Sequence, residues 1–240
     1  ATPGGIRELA TGMAAKCFPE IVDKEIHFIP GVKNAVVTDD NDEIGCMDMM
    51  RGEEAESLGA GILQGMKEEF VFISPGSHTK FVFVDEDQQI QSCCTTLTGE
   101  LLSAISCYTI LSDSLSSALI EAVDPRFIQE GIEAAKKYGL TKACFSVRVL
   151  DTLQDTTENE RANFLAGALA FNDILALLNR THVNVDVLIG GNPILQKLYE
   201  QVLLLLGWSE DKICLLDENS TEKASSVLGI KLFESLSSKS

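Results

Sequence analysis

The stretch Ser74-Pro75-Gly76-Ser77-His78-Thr79-Lys80 gathers hydroxyls, backbone N–H groups and a lysine into one small polar turn. Apolar strand-like runs flank it, Phe70–Ile73 before and Phe81–Val84 after. Such a turn suits an anion, a phosphate first of all, because successive amides and a cation converge on one point. A second stretch with chemistry in it is Asp48-Met49-Met50-Arg51-Gly52-Glu53-Glu54. Acidic side chains here suit the first turn of a helix, where they favour its dipole. They also suit proton transfer: Glu53 or Asp48 would orient or deprotonate a hydroxyl while Arg51 offers its planar fork to a substrate carboxylate. A third is Gly190-Gly191-Asn192, at the end of the apolar run Val185–Ile189. Asp39, Asp40, Asp42 and Asp48 allow a competing reading as a hard-cation cage in a metal-dependent hydrolase. That loop lacks the central glycine and the closing glutamate of a helix–loop–helix calcium site.

The elements that must position these residues follow from periodicity. Ile6, Leu9, Ala10, Met13 and Cys17 predict a helix over 6–18. Ile26–Ile29 reads as a short strand stopped by Pro30-Gly31, and Val32–Thr38 as extended chain. Residues 53–66 return to helical spacing, with Leu58, Ile62, Leu63 and Met66 along one face. Three strands follow, Phe70–Ser74, Lys80–Asp85 and Gln89–Leu97, the last two joined by a hairpin at Asp85-Glu86-Asp87. Helices are expected over 101–111, from Pro125 to Gly139 with proline in the first turn, and over 158–178. Residues 144–153 fit a strand or a helix. The last third alternates strand 185–189, helix 193–206, strand 213–216, helix 221–236, the pattern of parallel strands with crossover helices. Three antiparallel-type strands, a helix, then strand–helix–strand–helix describe an α/β fold, a ribonuclease-H-like lobe with a mixed sheet flanked by helices.

Composition narrows the partners. The 240 residues make one large domain or two small ones. A net charge of −17 argues against nucleic acid, whose phosphates select basic surfaces. Seven cysteines without a C-x-x-C pair, and only three histidines (His27, His78, His182), read as reduced thiols in a cytoplasmic protein rather than a zinc site. No apolar stretch approaches the 18 residues of a membrane span, so no membrane partner is expected. The chain opens at Ala1-Thr2-Pro3 without a methionine and is read as part of a longer protein.

In the actin-like ATPase and sugar-kinase superfamily, the turn between the first two strands of such a lobe holds ATP phosphates. A later glycine-rich turn holds the adenosine. The strings IPGV (29–32), MRGEE (50–54), PGSHTKFV (75–82), TGELL (98–102), SVR (146–148) and IGGNPILQKLY (189–199) resemble the 2-dehydro-3-deoxygalactonokinase family, in the same order, from about residue 20 to 232. The resemblance implies ATP-dependent phosphorylation of 2-dehydro-3-deoxy-D-galactonate at its 6-hydroxyl, with magnesium. The implied partners are the sugar acid and ATP, and a homodimer is left open. It implies nucleotide contacts from Gly76, Ser77, His78 (at the γ-phosphate), Thr79, Lys80, Gly190, Gly191 and Asn192. It implies catalysis by Glu53, Asp48 and Arg51, with Glu53 where broader sugar kinases carry an aspartate, and sugar-acid contacts from Arg51, Glu54, Thr98 and Glu100. No metal ligand is assigned. One departure stands out: members of this family begin with an Asp-x-Gly-[ST] turn, which this sequence does not contain. Residues 1–66 are therefore read as the remnant of an N-terminal substrate lobe with its linking helix, 67–236 as the nucleotide-binding lobe and 237–240 as a tail. A chain so placed is expected to be inactive alone, or to be a non-catalytic module that binds a sugar acid or nucleotide.

Overall fold

The computed structural model describes residues 1–35, 43–115, 120–183 and 185–237. The extended reading of 36–38 and the acidic residues Asp39, Asp40 and Asp42 lie outside these. The chain forms two compact units, one of Ala1–Phe72, Phe81–Cys94 and Leu216–Ser240, the other of Ile73–Lys80 and Thr95–Leu215.

In the first unit, α1 (Ile6–Gly12) stops at Gly12 and the chain turns into a hairpin of β1 (Ala14–Phe18) and β2 (Val22–Phe28). The helix expected over 6–18 is thus cut short: Met13 is already extended (φ −63°, ψ 136°). The strands pair antiparallel, Lys16 opposite Ile26, and period 2 governs residues that had suggested period 3.6. β3 (Val32–Lys33) pairs antiparallel with β4 (Met49–Met50), and the one-turn α2 (Glu43–Cys46) precedes β4. Buried Asn34 closes this corner. Its Nδ2 donates to the carbonyls of Cys46 (2.8 Å) and Cys93 (2.9 Å), and its Oδ1 accepts the Cys93 N–H (2.8 Å). A buried amide unpaired would cost stability; here both its ends are satisfied. α3 (Glu53–Gln64) lies against α9 (Glu218–Ser237), which buries Ala224, Leu228 and Leu232. At their closest point a Cβ added to Gly59 would stand 1.9 Å from the Ala224 carbonyl oxygen.

The strands β5 (Phe70–Ser74), β6 (Thr79–Val84), β7 (Ile90–Thr96), β8 (Asp186–Ile189) and β9 (Ile213–Leu215) form a mixed five-stranded sheet flanked by helices, in the order β7-β6-β5-β8-β9. Every residue of β6 is buried, as are Phe70–Ile73, which explains their unbroken apolar runs. β8 and β9 are parallel, with Leu188 opposite Cys214, as the alternating pattern of the last third predicts.

Helices of the second unit are α4 (Thr98–Tyr108), α5 (Pro125–Tyr138), α6 (Leu140–Leu153), α7 (Glu158–Leu178) and α8 (Pro193–Leu205). α5 starts on Asp124, whose Oδ1 accepts from Arg126 N–H at 3.0 Å, with Pro125 at the first position. Residues 144–153 are helical. The buried positions of α6 are Ala143, Val147 and Leu150, one helical face, which the alternation of Phe145, Val147 and Val149 had obscured. α7 opens with a capping box, Thr157 Oγ1 accepting the Glu160 N–H at 3.2 Å and Glu160 Oε2 accepting the Thr157 N–H at 2.7 Å. By length and composition α7 is apolar enough to cross a membrane, contrary to the reading above, but 78% of its most apolar window is buried within the protein.

Gly59→Ala sets two effects against each other. Alanine gains about 0.5–1 kcal/mol of helix propensity, while overpacking costs about 1–3 kcal/mol. With carbonyl oxygen rather than a flexible side chain in the way, overpacking wins. A lowered Tm in thermal unfolding is expected; an unchanged or raised Tm would show that α3 and α9 do not meet at this glycine.

Candidate functional site

Three of the sequence motifs come together in the second unit. Gly76, Ser77 and His78 form the exposed turn between β5 and β6. Among the described residues their backbone amides donate to no protein acceptor. One carbonyl of the turn is engaged: Ser77 O accepts the Glu100 N–H at 2.9 Å, at the start of α4. A Cβ on Gly99 would lie 1.9 Å from the Gly76 carbonyl oxygen, so only glycine lets α4 come this close. On the exposed side His78 Nε2 and Glu100 Oε1 are 3.0 Å apart. Gly190, at the end of β8, donates its N–H to Ile73 O at 2.9 Å. Gly191 (φ 81°) occupies the left-handed region, and a Cβ there would meet the Pro75 carbonyl oxygen at 3.0 Å. Asn192 caps α8, its Oδ1 accepting the Ile194 N–H at 2.9 Å. The turns 74–80 and 190–192, distant in sequence, are neighbours in space.

Directly behind this surface lies a buried polar chain. Thr98 Oγ1 donates to Asp173 Oδ1 at 2.6 Å. Tyr199 Oη donates to Asp173 Oδ2, so the Thr79 hydroxyl, 2.8 Å from Tyr199 Oη, donates to the tyrosine. Burial raises the Asp173 carboxyl above its ordinary value, and the hydroxyl bonds work against that shift. Burial, then the Asp173 charge, holds the Tyr199 phenol well above its usual range. Thr96 lies close enough to favour the ionised Asp173, although its buried Oγ1 makes no hydrogen bond of good geometry. Lys80 is 7% exposed, and its amine donates to Thr95 Oγ1 at 2.5 Å.

The acidic motif belongs to the first unit. Asp48 Oδ1 accepts the Met49 N–H at 2.6 Å, and Glu53 Oε2 accepts the Arg51 N–H at 3.1 Å. Glu54 is 2% exposed and folds back onto the Gly52 N–H at 2.8 Å. Its carboxyl is raised by burial, with the backbone bonds opposing. Glu54 thus closes the N-terminus of its own helix, whereas Glu53 stays partly accessible. Arg51 is exposed and lines a cavity of about 470 Å³ with Lys16, Phe18, Phe28, Pro30 and Gly31. Among the described residues no three His, Cys, Asp or Glu side chains converge as metal ligands. Three of the four aspartates of the suggested cation cage lie outside the described residues.

Sequence reasoning did not single out Asp173, Tyr199 or Lys16. An acid beside Ile174 in the apolar stretch Phe164–Leu178 was the available signal for the first. Lys16 was hidden by the reading of 6–18 as a helix.

The profile of the family described as 2-keto-3-deoxy-galactonokinase matches residues 1–222. A protein of Rhizobium meliloti (strain 1021) named probable 2-dehydro-3-deoxygalactonokinase is 28% identical over 204 residues, 84% of this chain and 63% of its own length. A crystal structure of a Sinorhizobium meliloti protein, described as a 2-dehydro-3-deoxygalactonokinase, matches with a TM-score of 0.75 at 26% identity, over 96% of this chain and 71% of that one. The chain therefore spans under two thirds of the curated relative's length.

Removing the buried acceptor should be costly. Asp173→Ala leaves the buried Thr98 hydroxyl without its acceptor and Tyr199 with only Thr79, and is expected to lose about 1–3 kcal/mol in denaturant unfolding, the cost of one orphaned group. The pH dependence has a definite sign. The folded carboxyl titrates above its ordinary 3.8, so the stability it confers is full below that value and is lost as pH rises through the raised folded pKa. Wild type minus Asp173→Asn should shrink over that window; a difference independent of pH would show an unshifted carboxyl.

Proposed function

This chain belongs to the 2-keto-3-deoxy-galactonokinase family, and we propose that it supplies the phosphate turn and the acceptor-side residues of an ATP-dependent sugar-acid kinase. The acceptor in this reading is 2-dehydro-3-deoxy-D-galactonate and the hydroxyl phosphorylated is the 6-hydroxyl. The observation that carries it is the adjacency of two turns, Ser74–Lys80 with its three free amides and Gly190–Asn192 with Gly191 pressed onto Pro75. Successive amides already oriented by a turn stabilise phosphate charge without reorganisation, the main requirement of phosphoryl transfer.

In the proposed reaction the Gly76, Ser77 and His78 amides, with the His78 ring, hold the terminal phosphates of ATP. Thr79 and Lys80 support that turn from the sheet, and Gly190-Gly191-Asn192 meets the adenosine. Glu53 takes the proton of the 6-hydroxyl as its oxygen attacks the γ-phosphorus; the bond to the β-phosphate oxygen breaks and ADP leaves. Asp48 is the alternative base. Arg51 binds the acid's carboxylate. Glu100 is exposed beside His78, whereas Glu54 and Thr98 act from the interior, through Gly52 and Asp173. The described residues offer no protein-built magnesium cage, so magnesium would enter with the phosphates of ATP and keep much of its water. We read residues 67–236 as the ribonuclease-H-like lobe, supported by the strand order and the parallel β8–β9 pair, and 1–66 as part of the substrate lobe. The expected place of work is the cytoplasm, where ATP and reduced thiols coexist.

A coupled ADP-release assay with ATP, magnesium and the deoxy keto acid tests this, on this chain and on the full gene product. Turnover by the full product is expected, and its absence would reject the kinase reading. Nucleotide or sugar-acid binding without turnover would instead favour a non-catalytic relative. Glu53→Gln should lower turnover about 10²–10⁴-fold while ATP still binds. Near-parental turnover would move the base to Asp48.

A further inference from the structure

The cleft beside Arg51 carries a second cation that the reaction above leaves unused. β1 sets Ala14 and Lys16 on one face, and Phe28, opposite Ala14, shares it; beyond the register shift at Cys17–Phe18, Phe18 lines the same cleft. The other face is already occupied: His27, opposite Ala15, meets the Phe233 ring of α9 edge-on at 5.6 Å between centroids. A one-residue slip would exchange the faces, so the contact with α9 fixes Lys16 on the cleft side. Gly31 forms the floor. A Cβ there would stand 2.6 Å from Met50 O and 3.4 Å from Arg51 Nε, so the Pro30-Gly31 turn seats directly against Arg51. Phe18 and Phe28, edge to face with centroids 6.2 Å apart, form an apolar wall. Among the described residues neither Lys16 nor the Arg51 guanidinium is held in an ion pair. In a chain of net charge −17, two such cations on one cleft mark where a small anion is attracted rather than repelled.

We infer that Lys16 and Arg51 together hold the carboxylate end of the sugar acid, and that Phe18 and Phe28 cover the carbons next to it. Arg51 grips the carboxylate as a planar fork and Lys16 adds a point charge on its other side. A 2-keto-3-deoxy acid has its one carbon without oxygen, the C3 methylene, beside the keto-carboxylate end, and an aromatic wall accommodates a methylene better than a hydroxyl. The cavity, about 470 Å³, is within the usual range of small-molecule sites. This inference names the substrate contacts of the proposed kinase and rests on that reading.

The test uses the full gene product and steady-state kinetics with ATP and 2-dehydro-3-deoxy-D-galactonate. Lys16→Ala is expected to raise KM for the sugar acid about tenfold to a hundredfold, the weight of one charge-assisted contact, with KM for ATP within about twofold. Lys16→Arg should recover most of the loss, and Lys24→Ala, on β2 outside the cleft, should shift neither constant. Lys16→Gln, which keeps the length of the side chain, repeats the test should the alanine variant fold poorly. If the wild type turns over and both Lys16→Ala and Lys16→Gln keep a sugar-acid KM within about twofold, the inference falls and the kinase reading stands. If the wild type does not turn over the acid, the kinase reading falls and takes the inference with it.

Discussion

Asp173 is an acid 2% exposed in the helix Glu158–Leu178, with Thr98 and Tyr199 hydroxyls donating to it and Thr79 donating to Tyr199. A carboxylate in this position is tolerated only because each acceptor site toward its neighbours is filled. The consequence is positional. Thr79 follows His78 and Thr98 precedes Gly99, so the strand leaving the 74–78 turn and the helix abutting it are tied to one carboxylate. α7 and α8 bring that carboxylate and the tyrosine, so β6, α4, α7 and α8 are held at one point by directional bonds rather than by apolar contact alone.

The free amides of the turn follow from this anchoring. Ser77 O is taken by α4, and Gly99 and Gly191 bring backbone against the turn's Gly76 and Pro75 carbonyls where any side chain would hold it off. With Ser77 O engaged and Thr79 held from below, the Gly76, Ser77 and His78 N–H groups are left without a protein acceptor among the described residues. Such donors need no rearrangement to meet an anion, which is the basis of electrostatic preorganisation.

The acidic motif of the first unit divides its labour differently from its spelling. Glu53 and Glu54 are adjacent and chemically alike, yet burial and the Gly52 N–H draw Glu54 into capping its own helix, while Glu53 keeps access to solvent. Arg51, next in line, turns toward a cleft whose opposite wall comes from a hairpin. Adjacent residues therefore belong to different tasks, and the difference is set by what lies around each side chain.

By itself the sequence determined the elements whose signals are local. The apolar runs of β5 and β6, the proline that opens α5 and the alternation ending in parallel β8 and β9 all depend on neighbours a few residues apart. It misjudged residues 14–18, where spacing alone does not separate a helix from a strand once the helix ends at Gly12. Only the tertiary structure decided which motifs meet. Thr98 and Asp173 are 75 residues apart in sequence, and Thr79 and Tyr199 are 120 apart. Their hydrogen bonds, like the placement of Lys16 on the same cleft as Arg51, depend on burial and backbone approach that no local pattern encodes.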